Sequence, residues 1–166
     1  MEKETVNHFQ IRFAVASDVP IILELIRELA EYVRKPDDVV ATEALLREWL
    51  FEKEKAEVLI GEWNGEAVAY ALFFHSFSTF LGRAGIYLED LYVRPAMRGQ
   101  GIGKEMLRYV AGLTVERGCG RLEWSCRDWN TSSIAFYLSM GAEAMHGSTG
   151  YRLAGDTLLG AAKGKE

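Results

Sequence analysis

The sequence is poor in cysteine, in basic excess and in long apolar runs, and each shortage removes a class of protein. Its two cysteines, Cys119 and Cys126, are spaced neither as a CxxC pair nor as a zinc ribbon. A structural disulfide between them is not expected in a reducing cytosol. With only His8, His75 and His146 scattered along the chain, no metal constellation assembles, and no metal is expected. The longest apolar stretches are Val68–Phe74 and Leu153–Ala162, the second broken by Gly155, Asp156 and Thr157. A membrane-spanning helix needs about 20 apolar residues, so no membrane association is expected. Met1-Glu2-Lys3-Glu4 is too charged to open a signal peptide, which points to a cytoplasmic protein. The 24 acidic residues outnumber 19 basic ones. That balance argues against a nucleic-acid partner, though not against a small anion held in one local nest.

What is present suits a globular fold: 166 residues, 49% apolar and 26% charged, enough for one domain with a sizeable core. A single domain over 1–166 is expected, with its core at about 9–153. Phe9, Ile11 and Phe13 alternate with polar neighbours, the period of a strand. Ser17 and Asp18 supply an N-cap for a helix carrying Ile22, Leu25, Ile26, Leu29 and Val33. Thr42 caps a second, short helix with Leu45, Leu46, Trp49 and Leu50 as its buried stripe. Strands at 57–63 and 66–75 meet at Asn64-Gly65, a dipeptide suited to a type I′ turn. Further strands are expected at 86–93, 121–126 and 149–153, and helices at 101–117 and 131–139. The pattern predicts a mixed α/β, mostly antiparallel sheet with helices on both faces.

The informative segment runs from Asp90 to Lys104, from a strand through a glycine-rich turn into a helix. Gly99, Gly101 and Gly103 let backbone approach a ligand without interference from a Cβ. They open a helix whose first N–H groups lack partners and whose dipole end is positive, a ready phosphate site. A turn tight only for packing explains the glycines equally well. The segment is no P-loop: Arg98 stands where the first glycine is required, and Glu105 follows Lys104, so no hydroxyl is available for magnesium. It also misses the dinucleotide fingerprint, because the third glycine comes one residue early.

What remains is Arg-x-x-Gly-x-Gly, made by Arg98, Gly101 and Gly103 after a strand ending at Val93. This resembles the coenzyme A pyrophosphate loop of the GNAT acyltransferase superfamily. Asn130, Phe136, Tyr137 and Gly141-Ala142 are similar to that family's later motif. Within it, Tyr87-Leu88-Glu89-Asp90, Asp128-Trp129-Asn130, Gly150-Tyr151-Arg152-Leu153 and Glu28-Leu29-Ala30-Glu31-Tyr32 resemble the diamine (spermidine/spermine) acetyltransferase group. Val33 stands where those enzymes are acidic, with Arg34 and Lys35 after it, and Ser78-Thr79-Phe80 replaces an Asp-Pro-Trp segment. Both departures disfavour a long polycation. Asp37 and Asp38 are either replacements or a solvated loop pair.

The resemblance implies acetyl-CoA as co-substrate. The backbone at Leu91, Tyr92 and Val93 would hold it, together with the loop Arg98, Gly99, Gln100, Gly101, Ile102, Gly103 and Lys104, and with Asn130, Ser133 and Phe136. A strand splayed after Glu89 would offer an N–H to the thioester carbonyl, where negative charge develops. Tyr137 would reprotonate the leaving thiolate. Glu89 in an apolar strand is read as general base or ammonium ligand, or else as one half of an ion pair with a core arginine. Asp90, on the opposite face, caps or pairs unless it too binds the acceptor with Glu28 and Tyr32. Cys126 reads as a small buried thiol rather than a nucleophile. The expected activity is direct transfer of acetyl from acetyl-CoA to a primary amine of a small diamine or aminoalkyl amino acid. The alternatives are an N-acetyltransferase for another small amine or protein N-terminus, or a silent acyl-CoA-binding module. The resemblance also implies a homodimer.

Overall fold

Alternating apolar residues build the sheet. In a computed structural model, which describes residues 8–164, β1 (Phe9–Phe13), β2 (Glu57–Trp63), β3 (Glu66–Ser78), β4 (Arg83–Val93) and β5 (Leu122–Trp124) lie side by side in that order. The first four are antiparallel, and β5 runs parallel to β4. β2 and β3 turn at Asn64-Gly65 with φ of 52° and 82°, the positive values a type I′ turn demands.

Helices cover both faces. Ile22 and Leu25 of α1 (Val19–Tyr32) pack on Val58, Ile60, Tyr70 and Tyr92. Gly61 is turned to the other face, where its missing side chain admits the second helix. A Cβ there would lie 3.0 Å from the Phe9 ring and 3.1 Å from Met106 Sδ of α3 (Ile102–Glu116). Burying each such Ile, Leu or Met side chain contributes roughly 1.5–3 kcal/mol. At the end of α3, Arg117 grips Glu57 through two contacts of 2.6 and 2.9 Å, which ties the helix to the start of β2. This pairing holds the Glu57 carboxyl below the usual carboxylate range. The mixed, mostly antiparallel sheet expected from the sequence is therefore present. Among the described residues, no helix is long and apolar enough to cross a membrane.

Local details differ from expectation for physical reasons. Asp18 stands at the N-cap of α1, but its carboxylate turns back to Arg12 at 2.7 and 2.9 Å and accepts from the Val15 N–H. Thr42 Oγ1 caps α2 (Glu43–Leu46) as expected, accepting from Leu45 N–H. The chain then widens into a π-helical turn over Arg47–Glu52, and Trp49 within it and Leu45 before it are 46% and 43% exposed rather than buried. β5 is three residues long rather than six, since its register with β4 ends at Leu88↔Trp124.

The described chain divides into two compact units after Arg127, and the sheet with α1 to α3 lies in the first. The second holds α4 (Thr131–Ser139) and α5 (Gly155–Lys163). The strand expected at 149–153 does not form: no ladder engages these residues, and Tyr151 is 95% exposed. An alternating pattern makes a strand only where a neighbouring strand takes up its hydrogen bonds. The apolar run after Leu153 forms α5 instead, where Thr157 Oγ1 donates to Ala154 O at 2.7 Å.

Candidate active site

The site grows from one irregularity in β4. Leu72 pairs with Asp90, but Phe73 pairs with Leu88, so Glu89 is an extra residue with no partner on β3. A bulge of this kind reverses the direction in which successive N–H groups point. Before it, Ile86 N–H donates away from β3 to Arg121 O at 3.0 Å; after it, Arg94 N–H donates toward β3 to Val68 O at 2.9 Å. Alternation then turns the N–H groups of Leu91 and Val93 to the edge that β5 left at Leu88. Beyond Leu88 the edge of β4 is left open, as the family resemblance implied, with two backbone donors along it.

The turn after β4 carries a second set of donors. Gly99 and Gly101 have φ of 78° and 80°, a region closed to most side chains. Gly101 is the N-cap of α3 and has no capping side chain, so the N–H groups of the first turn are left for a ligand. A Cβ on Gly101 would meet nothing within 4 Å, which makes the glycine a backbone requirement and not a packing one. Arg98 leans the other way from the nest. Its Nε donates to Val93 O at 3.0 Å, and its guanidinium lies 4.5 Å from the Tyr32 ring centroid.

The bulge also decides which carboxylate is enclosed. Glu89 projects to the surface with no ion-pair partner among the described residues, so the alternative reading as half of an ion pair with a core arginine does not hold. Asp90 is the half-buried one, and Tyr70 on β3 donates its hydroxyl to Asp90 Oδ2 at 2.9 Å. Burial pushes the Asp90 carboxyl up to about 6 against the opposing pull of the Tyr70 hydrogen bond, and the charge on Glu89 adds to the rise. Tyr70 is fully buried, which drives its own hydroxyl well above the ordinary tyrosine value and keeps it a donor. The sequence reading had assigned no role to Tyr70. Its hydroxyl meets Asp90 because Tyr70 and Leu72 face Tyr92 and Asp90 across the strands, a register that the sequence does not print.

Glu28 is already engaged. Arg94 grips it at 2.8 Å while also reaching Glu24 at 2.7 Å, and the Tyr92 hydroxyl donates to it at 3.3 Å. Arg94, also absent from the sequence reading, therefore ties α1 to the end of β4. Asp38 is likewise paired, with Lys35 at 3.3 Å.

In the second unit, Asn130 is 8% exposed and caps α4, its Oδ1 accepting from Ser133 N–H at 3.3 Å. Phe136 and Tyr137 are half-buried neighbours with ring centroids 5.3 Å apart. Gly141, φ 88°, ends the helix, and Ala142 N–H closes onto Tyr137 O at 3.2 Å. Cys126 is half-exposed rather than buried, its thiol 3.6 Å from Arg127 O. Among the described residues no group of His, Cys, Asp and Glu is arranged to hold a metal.

This strand–turn–helix arrangement is that of an α/β acyltransferase, and comparison with known proteins narrows it. Residues 21–142 match the Acetyltransferase (GNAT) family. The chain is 40% identical over 150 residues to a thialysine N-epsilon-acetyltransferase of Bos taurus, covering 85% of this chain and 88% of the relative. It is 30% identical to an L-ornithine N5-acetyltransferase of Arabidopsis thaliana, covering 90% and 86% of the two chains. An integron cassette protein from the mobile metagenome of V. cholerae shares the fold, with TM-score 0.80, 24% identity, and coverage of 94% and 98%. The chain belongs to the GNAT family of acetyltransferases and is an N-acetyltransferase enzyme.

The enclosed carboxylate has a cost that can be measured. The Asp90 carboxyl titrates near 6 when folded and near 4 in the unfolded chain, so its burden is absent below about pH 4, grows toward pH 6 and is complete above it. Asp90→Asn keeps an acceptor for Tyr70 and removes the charge. It should stabilise the protein by up to about 3 kcal/mol at pH 8 and by almost nothing at pH 4. Denaturant melts of both proteins across that range check this; an equal change at the two ends would contradict an enclosed, titrating Asp90.

Proposed function

We propose that the enzyme transfers the acetyl group of acetyl-CoA to a primary amine of a small diamine or aminoalkyl amino acid, by direct attack with both substrates bound. The observation that carries this reading is the bulge at Glu89, which leaves two N–H donors on a vacated strand edge just before an uncapped helix N-terminus. The loop from Arg98 to Lys104 suits the pyrophosphate of coenzyme A, and Asn130, Ser133 and Phe136 suit its pantetheine arm. The N–H of Leu91 or Val93 accommodates the charge that develops on the thioester oxygen. Glu89, Asp90 and Tyr32 receive the cationic acceptor. Glu28 contributes through its hold on Arg94.

An ammonium of pKa about 10 must lose a proton before it attacks. The amine then forms a bond to the thioester carbon, the carbon–sulfur bond breaks, Tyr137 supplies a proton to the sulfur, and the second proton shed by the nitrogen restores the tyrosine by way of water. Holding the two substrates together supplies much of the acceleration.

The acceptor class is supported by the thialysine and ornithine acetyltransferases among the relatives, both named for aminoalkyl amino acids. A long polycation fits less well. Val33, Arg34 and Lys35 follow Tyr32, and Asp38 is spent on Lys35. A homodimer and a cytoplasmic location complete the reading.

Thiol release from acetyl-CoA with thialysine, ornithine, a short diamine and spermine tests the acceptor. The first three should have the higher kcat/KM, and a clear preference for spermine would overturn the assignment. Tyr137→Phe should lower kcat about 100- to 10,000-fold, the usual worth of general-acid catalysis, with acetyl-CoA affinity unchanged. A variant that keeps its kcat when chemistry limits the rate would return Tyr137 to a packing role.

A further inference from the structure

We infer that Glu28 is a positioning residue for the coenzyme: it takes the side chains on either side of Val93 and so fixes the Val93 N–H at the open edge of β4. This rests on the acetyltransferase reading above and deepens it, by assigning the α1 carboxylate to the donor edge and not to the acceptor.

Val93 needs support from outside the sheet. It is the last residue of β4, opposite Ala69, and a single further bond, from Arg94 N–H to Val68 O at 2.9 Å, precedes the turn at Pro95. On its other edge β5 reaches only to Leu88. A strand end held along one side frays, whereas a donor must stand in place before the thioester arrives.

α1 supplies the support through one row of side chains. Glu24, Glu28 and Tyr32 follow at four-residue spacing and share a face of the helix. Tyr92 and Arg94, two residues apart on extended backbone, also share a face, with the Val93 side chain turned the other way between them. Glu28 Oε2 accepts from the Tyr92 hydroxyl at 3.3 Å, and Oε1 accepts from Arg94 Nη2 at 2.8 Å. Arg94 Nε lies 3.2 Å from both oxygens. One carboxylate therefore anchors the residue before Val93 and the residue after it. Arg94 Nη1 donates in addition to Ala67 O at 3.0 Å, which ties the clamp to β3. One turn further along α1, the Tyr32 ring carries the Arg98 guanidinium, and Arg98 Nε donates to the carbonyl of Val93 itself.

The two carboxylates of the row are not equivalent. The Glu28 side chain is 28% exposed and meets both Tyr92 and Arg94, whereas that of Glu24 is 60% exposed and meets Arg94 alone. An exposed pair is screened and holds its partner loosely; a more enclosed carboxylate with several hydrogen bonds fixes geometry. Burial, with the Glu28 charge behind it, raises the Tyr92 hydroxyl above the ordinary tyrosine value, so it stays a donor at neutral pH. Arg94 already matches the charge of Glu28, which leaves that carboxylate little attraction for an acceptor ammonium.

Kinetics and amide NMR test this together. Glu28→Leu keeps the bulk and removes both oxygens, while Arg94 retains Glu24 and Ala67 O, so no charge is orphaned. Its kcat/KM for acetyl-CoA should fall about 10- to 100-fold, the cost of a donor displaced by about an ångström. Its KM for thialysine should stay within about twofold of wild type, which an acceptor ligand would not allow. Glu28→Gln keeps one weaker acceptor and should show the same pattern at several-fold size. Glu24→Leu should leave both constants unchanged. A merely structural Glu28 would lower the melting temperature without separating the two substrates. The NMR needs no turnover. On addition of acetyl-CoA, the Val93 N–H should shift in wild type and in Glu24→Leu, and should lose most of that shift in Glu28→Leu, or in Glu28→Gln should the leucine variant not fold. Leu91, set by the bulge, should respond in all of them. Equal losses in the Glu24 and Glu28 variants overturn the proposal, as does a raised thialysine KM with acetyl-CoA constants intact, or a Val93 that behaves alike in every variant. If Val93 follows the expected pattern but no amine releases thiol from acetyl-CoA, the clamp stands and it is the acetyltransferase reading that fails.

Discussion

One extra residue in a strand sets which backbone donors of β4 face its open edge. Without the bulge at Glu89, β4 would keep a single phase along its length. The N–H groups of Leu91 and Val93 would then point into the ladder with β3. With it, the strand presents those donors at its open edge and still keeps its pairing with β3 as far as Val93. The rest of the first unit supports that edge. Tyr70, Tyr92 and Ile60 lie locked under α1, and α3 is held through Gly61 and Arg117 on the other side. A donor edge for acyl transfer must be rigid before substrate arrives, since reorganisation during the reaction would cost what the donors gain.

The same residue places a carboxylate where burial works against it. Natural sheets seldom enclose an Asp without a cation, because desolvation penalises the charged form. Here Tyr70 offsets part of that penalty, and the remainder holds the Asp90 carboxyl up at about 6. Arg94, Glu24 and Glu28 next to it show the contrasting solution, a closed set of ion pairs that serves the framework. The two arrangements lie near the same end of β4, the second reaching from Arg94 across to α1.

The sequence was legible wherever the determinants are local. Asn64-Gly65 announces its hairpin, Thr42 its cap, and the glycines from Gly99 to Gly103 their turn, because each depends on the φ range or the side-chain reach of a few neighbouring residues. The roles of Glu89 and Asp90 were not legible in this way. Strict alternation puts Glu89 and Asp90 on opposite faces of one regular strand, and it cannot announce the single inserted residue that shifts the phase between Leu88 and Asp90. Tyr70 lies twenty residues from Asp90, and only the register brings them together. Likewise 149–153 has the composition of a strand, but a strand needs an edge to pair with. Tyr137 and Asn130 were singled out through family resemblance alone, and the structure adds that Asn130 is the cap of its helix.

The central claim is that the bulge selects which backbone donors meet the thioester. Amide chemical shifts measured as acetyl-CoA is added to the labelled protein test it directly. Leu91 and Val93 should move strongly together with Ile102, Gly103 and Lys104, whereas Asp90 and Tyr92, whose N–H groups face β3, should move little. Large shifts at Asp90 and Tyr92 with none at Leu91 and Val93 would contradict the account.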